Sequence, residues 1–191
     1  MNLAEIPDNI PIPQDDGAAD HLLHSRLPEL TLRATNNELI NIGKLAGLVV
    51  LYIYPMTGKP DTPLPDGWNE IAGARGCTPQ SCGFRDHYSE LQALNTSVFG
   101  LSVQETDYQL EAKERLHLPF ELISDSKLLL KSALNLPTFI VQNMELYKRL
   151  TLIAKDGNIE KVFYPVFPPN ENADAVIKWL NKYLAKDKNQ L

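Results

Sequence analysis

The 191-residue chain reads as an α/β protein. Three observations point there. An apolar run at residues 45–55 has the length of a buried strand, about half the ~20 residues that cross a bilayer. Strand and helix patterns alternate behind it. Near the C-terminal end, Lys155-Asp156-Gly157-Asn158 separates two apolar segments with the Asp-Gly signal of a hairpin turn.

Taken in order, residues 1–26 hold Pro7, Pro11 and Pro13 among scattered charges and are expected to form a loosely packed N-terminal arm ahead of one domain over 27–191. Leu30-Thr31-Leu32 and Leu39-Ile40-Asn41-Ile42 flank an Asn36-Asn37 turn as short strands, and residues 48–54 form the buried strand. Residues 55–76 are too broken by proline and glycine for either period, so they read as a long surface loop of the kind that is usually functional or disordered. Thr78 then offers an N-cap with Pro79 at the first helical position, and Phe84, Tyr88, Leu91 and Leu94 recur at helical spacing. Residues 97–101 suit a strand, and Ser102 with Glu105 has capping-box spacing for a helix reaching about Leu116. A short strand at 121–123 and a helix at 126–134 come next. Residues 150–154 pair with 159–164 across the Asp-Gly turn, and Val176, Ile177, Leu180 and Leu184 mark a final amphipathic helix.

Composition narrows the function. Eighteen basic against 24 acidic residues give a net charge of −6, and no basic block offers a stripe for phosphates, so nucleic acid is excluded as a partner. The first 20 residues lack the basic start and apolar stretch of a secretory signal, and no segment is long enough for a membrane span, so a cytoplasmic protein is expected. In that reducing setting two closely spaced cysteines point to redox chemistry or metal binding rather than to a structural bridge.

Those cysteines lie in Gly73-Ala-Arg-Gly-Cys-Thr-Pro-Gln-Ser-Cys82, where a helix is expected to begin. Only a thiolate attacks a peroxide oxygen, and the unpaired N–H groups and positive dipole end of a helix start favour that charged form. A second cysteine five residues on is placed to trap a sulfenic acid as a disulfide before further oxidation. Two plainer readings compete: a pair of small buried hydrophobes, and a metal site. The second is the weaker, because Cys77, Cys82 and His87 recur every five residues, a spacing that does not gather ligands on one helical face. His21, His24, His87 and His117 receive no catalytic role.

The residues 49–55 (VVLYIYP), the run Gly76-Cys77-Thr78-Pro79-Gln80-Ser81-Cys82 and the following Phe84-Arg85-Asp86 together resemble the peroxiredoxins, most closely the Q-type or bacterioferritin-comigratory branch. The likeness continues through residues 98–102 and 149–160 and covers roughly 27–184. It implies a thioredoxin-like fold, a central mixed sheet flanked by helices, with family additions. It also implies a thiol peroxidase acting on hydrogen peroxide or organic hydroperoxides, with Cys77 as the peroxidatic and Cys82 as the resolving cysteine. Thioredoxin or glutaredoxin would recycle it, and no metal or organic cofactor is implied. By the same resemblance Arg149 sits beside the thiolate, and Gln80 and Arg85 support the site near the first helical turn.

One position departs from the pattern. Relatives carry a hydroxyl three residues before the peroxidatic cysteine, and this chain has Ala74, preceded by an insertion that contains Trp68. Thr57 is the candidate to fold back and supply the missing hydroxyl to the substrate. The departure keeps a second function open: a thioredoxin-like thiol-disulfide relay without efficient peroxidase activity.

Overall fold

The structure, a computed structural model, describes residues 3–188. Residues 1 and 2 of the arm and 189–191 of the domain lie outside it. Nine strands and five α-helices are present among the described residues. The short strands expected near Asn36 are β1 (Thr31–Ala34) and β2 (Leu39–Asn41), and the apolar run is β3 (Leu48–Ile53). Next come α1 (Cys77–Asp86), α2 (Tyr88–Ala93), β4 (Thr96–Ser102), α3 (Thr106–Leu116), β5 (Leu122–Ser124) and α4 (Leu129–Leu134). The chain ends with β6 (Thr138–Val141), β7 (Met144–Tyr147), β8 (Leu150–Lys155), β9 (Asn158–Phe163) and α5 (Asn172–Lys188).

Seven strands form one mixed sheet in the order β2-β1-β5-β4-β3-β8-β9. β3, β4 and β5 run parallel, and β8 pairs antiparallel with β3 and β9. The central position of β3 explains its unbroken apolar sequence, since a strand covered on both faces has no solvated side. Leu51 and Ile53 enter one core with Leu22, Leu130 and Tyr147. Leu48, Val50 and Tyr52 enter the other with Phe84, Leu91, Val176 and Leu180, under α1, α2 and α5. The Asp156-Gly157 hairpin is present, with φ of 49° and 82° at its two turn residues.

Four expectations are corrected. α1 begins at Cys77 rather than after a Thr78 cap: the chain turns into it through Gly76 at φ 103°. A Cβ on Gly76 would lie 2.2 Å from Pro169 Cγ, so glycine alone fits both the conformation and the packing. Ser102 ends β4, its hydroxyl accepting from Gln104 N and Gln109 Nε2, and no side chain caps α3. The Asp125 carboxylate accepts from the amides of Leu129 and Leu130, so α4 starts at Leu129 rather than at Ser126. Finally, the loop at 55–76 is not confined to the surface. Trp68 is 3% exposed and packs with Ala74, Ile71 and Leu64 against Val141, Leu146 and Phe139 of the β6–β7 hairpin. That hairpin was not foreseen, and it supplies the apolar partner the loop needs.

The arm is also bound to the domain. Ala19 and Leu22 are buried in the first core, and the Asp16 carboxylate accepts from Lys148 Nζ and the Tyr164 hydroxyl, each at 2.7 Å. Among the described residues no helix is long and apolar enough to cross a membrane.

Candidate active site

Cys77 occupies the first position of α1, where backbone N–H groups have no partner within the helix. Its side chain is 4% exposed and rests in the core that holds Tyr52, Tyr54 and Phe84. Tyr52 stacks on Phe84 at 4.6 Å between ring centroids, and its hydroxyl lies 3.1 Å from Ser81 Oγ. Burial pushes both tyrosine phenols above their ordinary range, so neither adds negative charge beneath the sulfur.

Arg149, the residue that leads into β8, reaches the same point. Its guanidinium is 3% exposed, and Nη2 lies 3.1 Å from Cys77 Sγ. The carbonyls of Gly73, Ala74 and Arg75 lie 3.1–3.2 Å from the same nitrogen and share its two N–H groups with the sulfur. Nη1 donates to Gln80 Oε1. Nε has no hydrogen-bond partner among the described residues, and Arg149 lines a cavity of about 100 Å³. No carboxylate pairs with this cation among the described residues; the Cys77 sulfur is the one group among its hydrogen-bond partners that can take up negative charge.

Gln80, also fully buried, turns its Nε2 to Asn172 Oδ1 at 3.0 Å, and that oxygen accepts from Thr151 Oγ1 at 2.7 Å. A relay of neutral groups from β8 and the start of α5 thereby fixes Gln80, and Gln80 fixes Arg149. Gln80 is thus packed behind the guanidinium. Asn172 and Thr151 were not anticipated, since nothing local in their sequence surroundings links them to a residue 92 and 71 positions away.

The other candidates lie apart from the sulfur. Arg85 donates to Asp86 and to the Leu116 carbonyl, with Cys82 as its neighbour rather than Cys77. Thr57 is buried, but its hydroxyl and amide both donate to Gln104 Oε1, so it makes no hydrogen bond to Cys77. Ala74 offers only its carbonyl, 3.7 Å from Cys77 Sγ. Cys82 is half-buried on α1, and burial raises its thiol above the ordinary range despite the lowering influence of Arg85. His21 meets the Leu134 carbonyl and His87 meets Glu90, which leaves both outside the site.

A family model described as Redoxin matches residues 23–177. The chain is 26% identical over 157 residues to a chloroplastic peroxiredoxin Q of Oryza sativa subsp. japonica, covering 82% of this chain and 65% of that protein, a little under two thirds of its length. Among solved structures it is similar to peroxidoxin BcpB of Mycobacterium tuberculosis, with a TM-score of 0.68 at 20% identity over 84% of this chain and 96% of that one. It also resembles the bacterioferritin comigratory protein of Xanthomonas campestris, with a TM-score of 0.63 at 18% identity over 92% and 99% of the two chains. The shared fold is thioredoxin-like.

The position of Gln80 yields a charge test. In a Gln80→Glu variant a carboxylate would engage Arg149 and compete with the sulfur for it. A charge-assisted bond of about 1.5–3 kcal/mol is at stake. Alkylation of Cys77 by iodoacetamide at pH 7 is expected to slow about tenfold, and the denaturation midpoint to fall, because the carboxylate has no N–H for Asn172 Oδ1. An unchanged alkylation rate would detach Gln80 from the chemistry.

Proposed function

Because the chain belongs to the Redoxin family, we propose that it is a thiol peroxidase of the Q-type peroxiredoxin kind, which reduces hydrogen peroxide or organic hydroperoxides with Cys77 and resolves with Cys82. The observation that carries this reading is the buried Arg149 guanidinium 3.1 Å from the Cys77 sulfur. The Xanthomonas campestris protein it resembles is described by its alkyl peroxide reduction activity, which supports hydroperoxides as the substrate class.

In the proposed reaction the Cys77 thiolate attacks the terminal oxygen of the hydroperoxide. The S–O bond forms as the O–O bond breaks, the leaving oxygen takes up a proton as alcohol or water, and the sulfur becomes a sulfenic acid. Arg149 holds N–H donors where negative charge moves from sulfur to oxygen. Cys82 then attacks the sulfenic sulfur, water departs, and the disulfide waits for a thiol reductant. Thioredoxin or glutaredoxin is the reductant favoured here, and a reducing compartment such as the cytoplasm is the favoured location.

Closure demands movement. Residues five apart on a regular helix have Cα atoms about 8.7 Å apart, from a rise of ~1.5 Å and a radius of ~2.3 Å. A disulfide needs less than about 7 Å, so the first turn of α1 must unwind. The first backbone bond of that turn, from Gln80 N–H to the Gly76 carbonyl at 3.0 Å, is among those that must break. A thiol-disulfide relay stands as the second reading, favoured by the absent hydroxyl at Ala74 and by the engagement of Thr57 with Gln104.

The two readings separate in single-turnover experiments. Cys77→Ser is expected to abolish peroxide consumption, whereas Cys82→Ser should consume one equivalent and then stall or overoxidise. Mass spectrometry that finds the first sulfenic or sulfinic acid on Cys82 would reverse the assignment, and peroxide oxidation no faster than that of free cysteine would favour the relay. A pH profile adds a second check. Because the Cys82 thiol is raised, its reactive thiolate grows about tenfold per pH unit through the neutral range. Disulfide closure after a single equivalent of peroxide is therefore expected to quicken steadily from pH 7 to about 9. A plateau reached below about pH 8 would contradict the raised thiol.

A further inference from the structure

The cavity beside Arg149 has a wall that the reaction itself does not require. Gly73, Arg149 and Pro165 bound it from the domain, and Pro13 and Gln14 bound it from the N-terminal arm. A Cβ on Gly73 would lie 3.5 Å from Pro13 Cβ, so the proline is in van der Waals range of the loop that leads to Cys77. The arm follows that loop further: Arg75 Nη2 donates to the Glu5 carbonyl at 3.1 Å, and a Cβ on Gly58 would lie 3.0 Å from Leu3 Cδ2.

Asp16 fastens the arm. Its two carboxylate oxygens take Lys148 Nζ and the Tyr164 hydroxyl, both of which belong to residues lining the cavity. Lys148 directly precedes Arg149, and Tyr164 precedes Pro165, so the clamp grips the cavity at two points of its rim. The lysine, the phenol and the Ala18 amide hold the Asp16 carboxyl well below the usual carboxylate range, which keeps the clamp charged. Pro7, Pro11 and Pro13 stiffen the segment in front of it.

The cavity measures about 100 Å³. One water's share of liquid volume is about 30 Å³, and a benzene ring is housed by a cavity of about 150 Å³. A hydroperoxy group with a short chain fits; an aryl group does not. Cys77 does not line the cavity; Arg149, whose Nη2 lies 3.1 Å from the Cys77 sulfur, is the wall that the cavity and the sulfur share. We propose that this cavity is the approach to Cys77 and that residues 13–16 of the arm form a specificity wall over it, latched by Asp16, that admits hydrogen peroxide and short alkyl hydroperoxides and turns bulky ones away. The proposal rests on the peroxidase reading, and it names the substrates within that class.

The test compares wild type with Asp16→Ala and with a chain lacking residues 1–16. Stopped-flow oxidation of Cys77 is measured with hydrogen peroxide and with cumene hydroperoxide, and Cys77 alkylation with iodoacetamide and with pyrenyl maleimide. In both variants the ratio of bulky to small oxidant rates is expected to rise about tenfold or more, the scale on which pocket shape discriminates, and the alkylation ratio should rise with it. A wild type that uses cumene hydroperoxide as readily as hydrogen peroxide would overturn the wall, as would ratios unchanged in both variants. Failure of the peroxidase reading looks different: neither peroxide oxidises Cys77 faster than free cysteine, while the alkylation ratio still reports whether the arm gates the thiol.

Discussion

A guanidinium buried with no carboxylate partner among the described residues is the constraint around which this protein is assembled. Removing such a cation from water costs several kcal/mol unless partners replace the lost solvation. Arg149 finds them in three successive carbonyls of the loop at 73–75, in Gln80 and in the Cys77 sulfur. All of these partners lie within residues 73–80, so satisfying one side chain fastens the pre-cysteine loop and the start of α1 to the residue that leads into β8. Neutral acceptors soften the burial and do not neutralise the charge. Among the groups in contact with Arg149, only the sulfur can ionise to do that.

The same packing that makes the site also limits its motion. Gly76 is seated against Pro169, and a Cβ on Gly83 would lie 3.1 Å from the Asn170 carbonyl, so the turn at Pro169–Glu171 lies along the helix that has to open. Asn172, at the start of α5, holds Gln80 on that same helix. Unwinding α1 therefore breaks the bonds that position Arg149. In the proposed cycle the site is dismantled once the sulfenic acid has formed and rebuilt on reduction. Resolution and attack then exclude each other on one short helix.

Much of this was legible in the sequence. The sheet core follows from the apolar period of 48–54, and the Asp156-Gly157 hairpin from its turn residues, because both are local signals. Cys77 and Cys82 were marked by their spacing at a helix start, and Arg149 by resemblance alone. The β6–β7 hairpin was missed because Gln142 and Asn143, at φ 44° and 64°, make the turn without the glycine that announces one. Missing the hairpin made the loop at 55–76 look solvated, since Trp68 then had nothing to pack on. The helix cap was misplaced at Thr78 because a glycine entering in the left-handed region leaves no side-chain signature. Asn172, Thr151 and the Asp16 clamp depend on tertiary contacts between distant segments, which no periodicity records.

What decides between a site organised by a buried cation and one that merely contains it is the second-order rate constant for Cys77 oxidation by hydrogen peroxide, compared between wild type and Arg149→Ala. If the guanidinium sustains the attacking sulfur and the developing charge, the variant should lose about 10²-fold or more, as for removal of a positioned donor in other enzymes. A rate constant within about twofold of wild type would contradict the account, since a loss that small is far below the contribution of one such donor.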